Sequence, residues 1–183
     1  MMTPTNKNIR SFYPLFAHLF DYPSWKTGRN VTVARDAVKE LCPMAVQHLS
    51  VFTDSAEKKK PGELEEIYTH TFCLTPLCVP YVSTHLFGEE SFQRTELMCR
   101  LKEAYQQKNF SAGKELPDHI AVLLRFAPKF TDEEWREMVC YCLKKAVRSM
   151  FEKLKETDNI YRHLFQALHC LLEAEFPKEV AHA

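Results

Sequence analysis

The chain has 183 residues, 45% of them hydrophobic, enough for one domain with its own core. Lysine plus arginine and aspartate plus glutamate each number 24, so the formal charge is zero and the basic excess that nucleic acid demands is missing. No apolar run approaches membrane-spanning length, and the polar Met1–Arg10 stretch lacks the apolar core of an export signal, so a cytoplasmic protein without stable membrane insertion is expected.

Apolar residues recur at helical spacing along almost the whole chain. Phe12, Leu15, Phe16, Leu19 and Phe20 form a first stripe, and Asp21-Tyr22-Pro23 stops it, because proline cannot continue the hydrogen-bond ladder. A second helical stretch covers Thr32 to Phe52, with Pro43 beginning, breaking or kinking part of it. Thr53 to Gly62 is polar and charged, and reads as a flexible surface loop. The compact basic block Lys58-Lys59-Lys60 inside it is a solvated linker.

Glu63 to Phe72 follows as a helix whose first turns carry Glu63, Glu65 and Glu66, where the helix dipole favours them. Pro76 and Pro80 bracket an irregular connection. Pro80 suits a first helical position and Gly88 the cap after Phe87. Leu97, Leu101, Ala104 and Tyr105 mark the next helix, and Pro117 starts a short one ending near Ala127. Thr131-Asp132-Glu133-Glu134 is a capping box opening a helix with Trp135, Met138, Val139, Cys142, Leu143, Ala146, Met150 and Leu154 on one face. A last helix carries Ile160, Leu164, Leu168, Leu171 and Leu172. No alternating strand or internal repeat intervenes. The expected fold is therefore all-α, a helical bundle forming one domain over residues 1–183.

The seven cysteines show no framework spacing and no C-x-x-C pair, which fits free thiols and no metal. There is no phosphate loop and no nucleophile signature, so neither an enzyme nor a bound cofactor is expected. Asp118 and His119 follow Pro117 at a helix boundary, where backbone N–H groups lack partners. A neutral His119 would offer one donor and one acceptor at a surface cleft. The plainer alternative has Asp118 capping and His119 packed on a neighbour. Tyr81, Thr84, His85 and Gly88 share helical spacing beside Leu86 and Phe87, a pattern that suits core or a groove for an amphipathic helix equally well.

Leu19-Phe20-Asp21-Tyr22-Pro23, Tyr68-Thr69-His70-Thr71-Phe72-Cys73-Leu74, His85-Leu86-Phe87-Gly88-Glu89 and Glu115-Leu116-Pro117-Asp118-His119-Ile120 resemble, in order and spacing, "LLDYP", "YxxTFDL", "HLFGE" and "ELPDHL". These belong to the NarJ branch of the TorD/DmsD family of redox-enzyme maturation chaperones. Cys73 stands where the family often has aspartate, and Gln93-Arg94-Thr95 where it often has an arginine–glycine pair.

The resemblance implies an all-helical chaperone of the TorD/NarJ type, a monomer or a domain-swapped homodimer. Its partner would be the N-terminal leader, or leader remnant, of a molybdopterin-containing oxidoreductase catalytic subunit, held while cofactor is inserted. The implied peptide-binding residues are Asp118 and His119, with Leu116 and Pro117 shaping the wall beside them and Tyr68, Phe72, His85 and Phe87 lining the groove. The client's arginines would find Asp118, Glu115, Glu89 and Glu90. Replacing Asp118 and His119 together by alanine is expected to weaken leader binding without unfolding the chain. A thiol- or metal-dependent regulator, or a plain scaffold, is the competing reading.

Overall fold

The computed structural model describes residues 9–177, so the polar start of the chain, apart from Ile9 and Arg10, lies outside the described residues. Among them every regular element is a helix. Helix α1, Tyr13–Ala17, is flanked by 3-10 turns at Arg10–Phe12 and His18–Phe20. It buries Tyr13, Phe16 and Ala17, and the chain leaves helical geometry at Asp21, ahead of Pro23. Helix α2 spans Thr27–Val38 and α3 spans Pro43–Glu57, with Pro43 in the first turn, where its missing N–H costs nothing.

Helix α3 continues through Thr53 to Glu57, which corrects the loop expected from Thr53 onward. These residues are polar because they face water at the end of an amphipathic helix, and neither proline nor glycine stops them before Pro61. The real connection is 58–62, closed by Gly62 at φ +87°, a left-handed conformation that suits glycine. Helix α4, Glu63–Phe72, then buries Tyr68, Thr71 and Phe72.

Helix α5 is Val82–Phe87, and Gly88 at φ +83° ends it. Pro80 is therefore not its first residue. Tyr81 occupies the N-cap position, and the Pro80 carbonyl serves another purpose described below. Helix α6, Phe92–Gln107, is capped by the Ser91 hydroxyl, which accepts from the Arg94 amide at 3.1 Å. Helix α7 is Ile120–Phe126, starting three residues later than Pro117 suggests. It buries every residue except Arg125, as expected for a helix apolar all round. Leu123 and Leu124 lose all exposure, worth roughly 1.5–3 kcal/mol apiece.

Thr131 and Glu134 form the expected capping box of α8, Asp132–Glu137. A π turn, Met138–Leu143, leads into α9, Lys144–Leu154, and α10 is Tyr161–Glu175. The wide turn keeps Val139 and Leu143 inward while Cys140 and Tyr141 face solvent. Helix α10 packs against α3 and α9, α1 packs on α7, and α5 lies on α9.

One buried carboxylate ties the bundle's far ends together. Glu175 accepts from the Tyr13 hydroxyl at 2.6 Å and from the Trp135 indole N–H at 3.0 Å. Burial pushes its pKa up, opposed by those two donors. An aromatic ladder runs outward from there, from Tyr13 to Trp135, Phe130, Phe126 and Tyr105, with ring centroids 4.5–5.9 Å apart. No described helix is long and apolar enough to cross a membrane.

Candidate peptide-binding site

The Glu115–His119 segment crosses the N-terminal end of α5, and backbone and side chains stitch the two together. The Ile120 amide donates to the Pro80 carbonyl at 2.8 Å, and the Val82 amide to the Asp118 carbonyl at 3.0 Å. These form an isolated antiparallel bridge between Tyr81 and His119. The same segment is held from behind by the Tyr105 hydroxyl, 2.6 Å from the Pro117 carbonyl.

Asp118 has no exposed surface. Its Oδ2 accepts from the Ser83 amide at 3.1 Å and the Ser83 hydroxyl at 2.5 Å. Ser83 is the second residue of α5, so Asp118 satisfies an orphan donor at the start of a helix other than its own. Arg94 completes the chain, its Nε donating to Ser83 Oγ at 3.0 Å and its Nη1 to the Glu89 carbonyl at 2.8 Å. Asp118 therefore offers nothing directly to a ligand in this conformation. It sets where α5 begins. Neither Ser83 nor Arg94 was singled out from sequence, because nothing local marks a contact made across 35 positions.

His119 is 5% exposed and forms the N-cap of α7. Its Nδ1 accepts from the Ala121 amide at 3.2 Å, so the neutral ring carries its proton on Nε2. Burial lowers its pKa, while Glu115 and Asp21 oppose that and Arg125 adds to it. The Tyr81 ring meets the imidazole edge-on at 5.6 Å. The plainer of the two sequence readings thus describes much of this pair, with capping and packing divided between two helices.

Exposed apolar surface gathers beside them. Leu116 is 40% exposed, Tyr22 57% and Leu74 66%. Tyr22 stands edge-on to Tyr68 at 5.3 Å, and Tyr68 touches Phe72 at 4.9 Å. The Tyr68 hydroxyl donates to the Phe20 carbonyl at 3.1 Å. Burial raises the pKa of Tyr68, and the charges of Cys73, Asp21 and Glu115 add to this, so α4, the end of α1 and the Glu115–His119 segment share one neighbourhood. Asp21 itself is bound by Arg125 of α7. The result is a surface patch that carries the exposed Tyr22 and Leu116 and the half-buried Tyr81, with Leu74 just past the end of α4 and Tyr68, Phe72, Pro117 and His119 buried beside them.

The other two expected residues lie apart. His85 spans from α5 to α9, with Nε2 2.8 Å from the Val79 carbonyl and Nδ1 3.0 Å from Ser149 Oγ. Both ring nitrogens are committed to the fold. Phe87, 40% exposed, sits at the opposite end of α5 from Tyr81. Tyr22, read from sequence as part of a helix stop and of a family motif but not as a contact residue, is one of the exposed apolar side chains here.

A separate groove of about 1300 Å³ lies between α8, α9 and the end of α10, lined by Arg136, Cys140, Tyr141, Lys144, Glu173 and Glu175 among others. Its inner charged groups are already paired. Lys144 reaches Glu173 at 3.0 Å, and Glu175 is held by Tyr13 and Trp135. Among the described residues no group of three or more His, Cys, Asp or Glu side chains could hold a metal.

The helical architecture is shared with a solved structure assigned as a redox enzyme maturation protein from Archaeoglobus fulgidus. The two align with a TM-score of 0.60 at 20% identity, over 94% of this chain and 96% of that one. That match defines the class of fold. The profile of the nitrate reductase delta subunit family matches residues 34–167, and the chain belongs to that family. It is 32% identical, over 94% of its length and 92% of the relative's, to a Bacillus subtilis (strain 168) protein assigned as a nitrate reductase molybdenum cofactor assembly chaperone, NarJ.

Proposed function

We propose that this chain is a NarJ-like assembly chaperone that holds the N-terminal segment of a nitrate reductase catalytic subunit while its molybdenum cofactor is installed. What supports this reading is the exposed apolar patch beside His119 in a chain of the nitrate reductase delta subunit family. Tyr22, Leu74 and Leu116 expose surface there although the core alongside is fully packed. A short amphipathic helix laid on that patch would bury this area against its own apolar face. An isolated segment is disordered and loses conformational freedom on docking, so affinity is moderate and release easy, which suits a holding role.

Within this reading the expected site residues divide by role. Leu116 touches the client, with Tyr22 and Leu74 added to it. Tyr68, Phe72, Pro117 and His119 support the patch from behind, and Asp118 positions α5 so that Tyr81 borders it. His85 fastens α5 to α9, and Phe87 lies outside the contact. Calorimetric titration with a synthetic peptide of the catalytic subunit's N-terminal segment tests this. Saturable binding that Leu116→Asp removes is expected. Binding of equal strength to the folded Leu116→Asp protein would sink the proposal.

A further inference from the structure

One exposed stripe of the bundle leaves its charges unmatched. Glu133, Glu137, Tyr141, Lys145 and Arg148 are all exposed, and all line the groove between α8, α9 and the end of α10. They follow one another at steps of four, four, four and three residues. Such a row drifts around an ordinary α-helix, and the π turn at Met138–Leu143, wider by one residue, takes the drift back. Acidic side chains hold the α8 end of the stripe, basic ones the α9 end, and a tyrosine stands between them.

Other surface helices match their charges internally, as Glu96 does with Arg100 and Glu152 with Lys155. Here the neighbours four apart, Glu133 and Glu137, are alike, and so are Lys145 and Arg148 three apart, which costs an isolated helix stability. None of the four has an ion-pair partner among the described residues. The helix dipole accounts for Glu133 in the first turn of α8. Its reach ends within a turn, and Glu137 and Lys145 lie well inside the continuous run Asp132–Leu154. Tyr141 is 76% exposed in the middle of the stripe, and tyrosine is a residue that interfaces favour.

The order of charges is its own complement. Glu137 and Lys145 lie four residues to either side of Tyr141, and Glu133 and Arg148 eight and seven. The helical rise turns these steps into roughly 6 Å and 11 Å along the axis. Turned end for end about Tyr141, the stripe sets Glu137 against Lys145 and Glu133 against Arg148, once on each side of the axis. We propose that this face is a two-fold interface between copies of this chain, with the Tyr141 side chains meeting at the axis. A two-fold contact requires just such a self-complementary patch. No helix is exchanged, so the dimer is not a domain swap, and it stands independently of the peptide-holding role. A largely polar interface of this kind gives a weak, reversible dimer, with Kd on the order of 10–100 µM.

Sedimentation of the full chain over a concentration series tests this. Wild type is expected to dimerise reversibly, and high salt should weaken the dimer about tenfold because the crossing ion pairs are exposed. Two charge-reversed proteins follow, one carrying Glu133→Lys with Glu137→Lys, the other Lys145→Glu with Arg148→Glu. Each gives the stripe a single sign, and each should be a monomer with unchanged circular dichroism. Mixed in equal amounts, they should form a heterodimer, since every crossing pair is again of opposite sign. A wild type that stays monomeric at millimolar chain overturns the interface. So does a reversed protein that dimerises as wild type does, because the contact then lies on another surface. A mixture of the two folded variants that stays monomeric overturns it as well.

Discussion

Two halves of one short segment behave oppositely. Glu115 and Leu116 face water, whereas Pro117, Asp118 and His119 are enclosed and hydrogen-bonded to α6, α5 and α7 respectively. Five consecutive residues of one motif thus divide between contact and framework. A motif marks where a site is, and burial and hydrogen bonding say which of its residues a ligand can touch. Substitutions in the enclosed half should register as lost stability, those in the exposed half as lost binding.

The largest effect on stability is expected from Asp118→Ala. It strands the Ser83 amide and hydroxyl in a dry setting, and should cost roughly 3 kcal/mol in denaturant unfolding. Peptide binding would then fall together with stability, contrary to the expectation that the Asp118 and His119 pair can be removed with the fold intact. An Asp118→Ala protein as stable as wild type would erase the distinction between the halves. Ser83→Ala keeps the Asp118 contact with the amide but loses the hydroxyl and its link to Arg94, and about 1–2 kcal/mol should suffice.

Acid should act on the buried imidazoles, His119 of the enclosed half among them. Burial lowers the pKa of His48, His85, His119 and His163. Each contributes stability that is complete above the unfolded imidazole value, about 6.5, and is lost as pH falls through its lower folded value. Glu175, raised by burial, runs the other way, its contribution fading as pH rises through its folded value. Thermal unfolding should show a midpoint that drops below neutrality, and a midpoint constant down to pH 5 would contradict the buried-imidazole account. The smallest change in stability, about 0.5 kcal/mol or less, belongs to Leu116→Asp, whose site is already wet. The same substitution should abolish calorimetric binding, which is the sharpest separation of the two halves.

Much of the fold was legible because helices announce themselves through periodicity, and because Pro43, Gly88 and the Thr131–Glu134 box punctuate them. The tail of α3 was not, since residues such as Asp54 and Glu57 are polar whether they lie on the wet side of a helix or in a loop. The family was legible from four short motifs taken in order. The division of labour within them was not. Asp118 caps a helix that begins 36 positions before it in the chain, and Arg94 reaches back to Ser83 to complete that cap. Such pairings depend on tertiary approach, which spacing along a single chain does not encode. Tyr22 escaped for a related reason, because only the packing of α1 against α7 brings the residues after Phe20 alongside α4.

The hydrogen bond from Tyr13 to Glu175 joins positions 162 residues apart. During synthesis, the opening helix has no such acceptor until nearly all of the described chain has left the ribosome. Asp21 and Tyr22 follow directly from that helix, so the Tyr13 end of their support is fastened last although these residues emerge early.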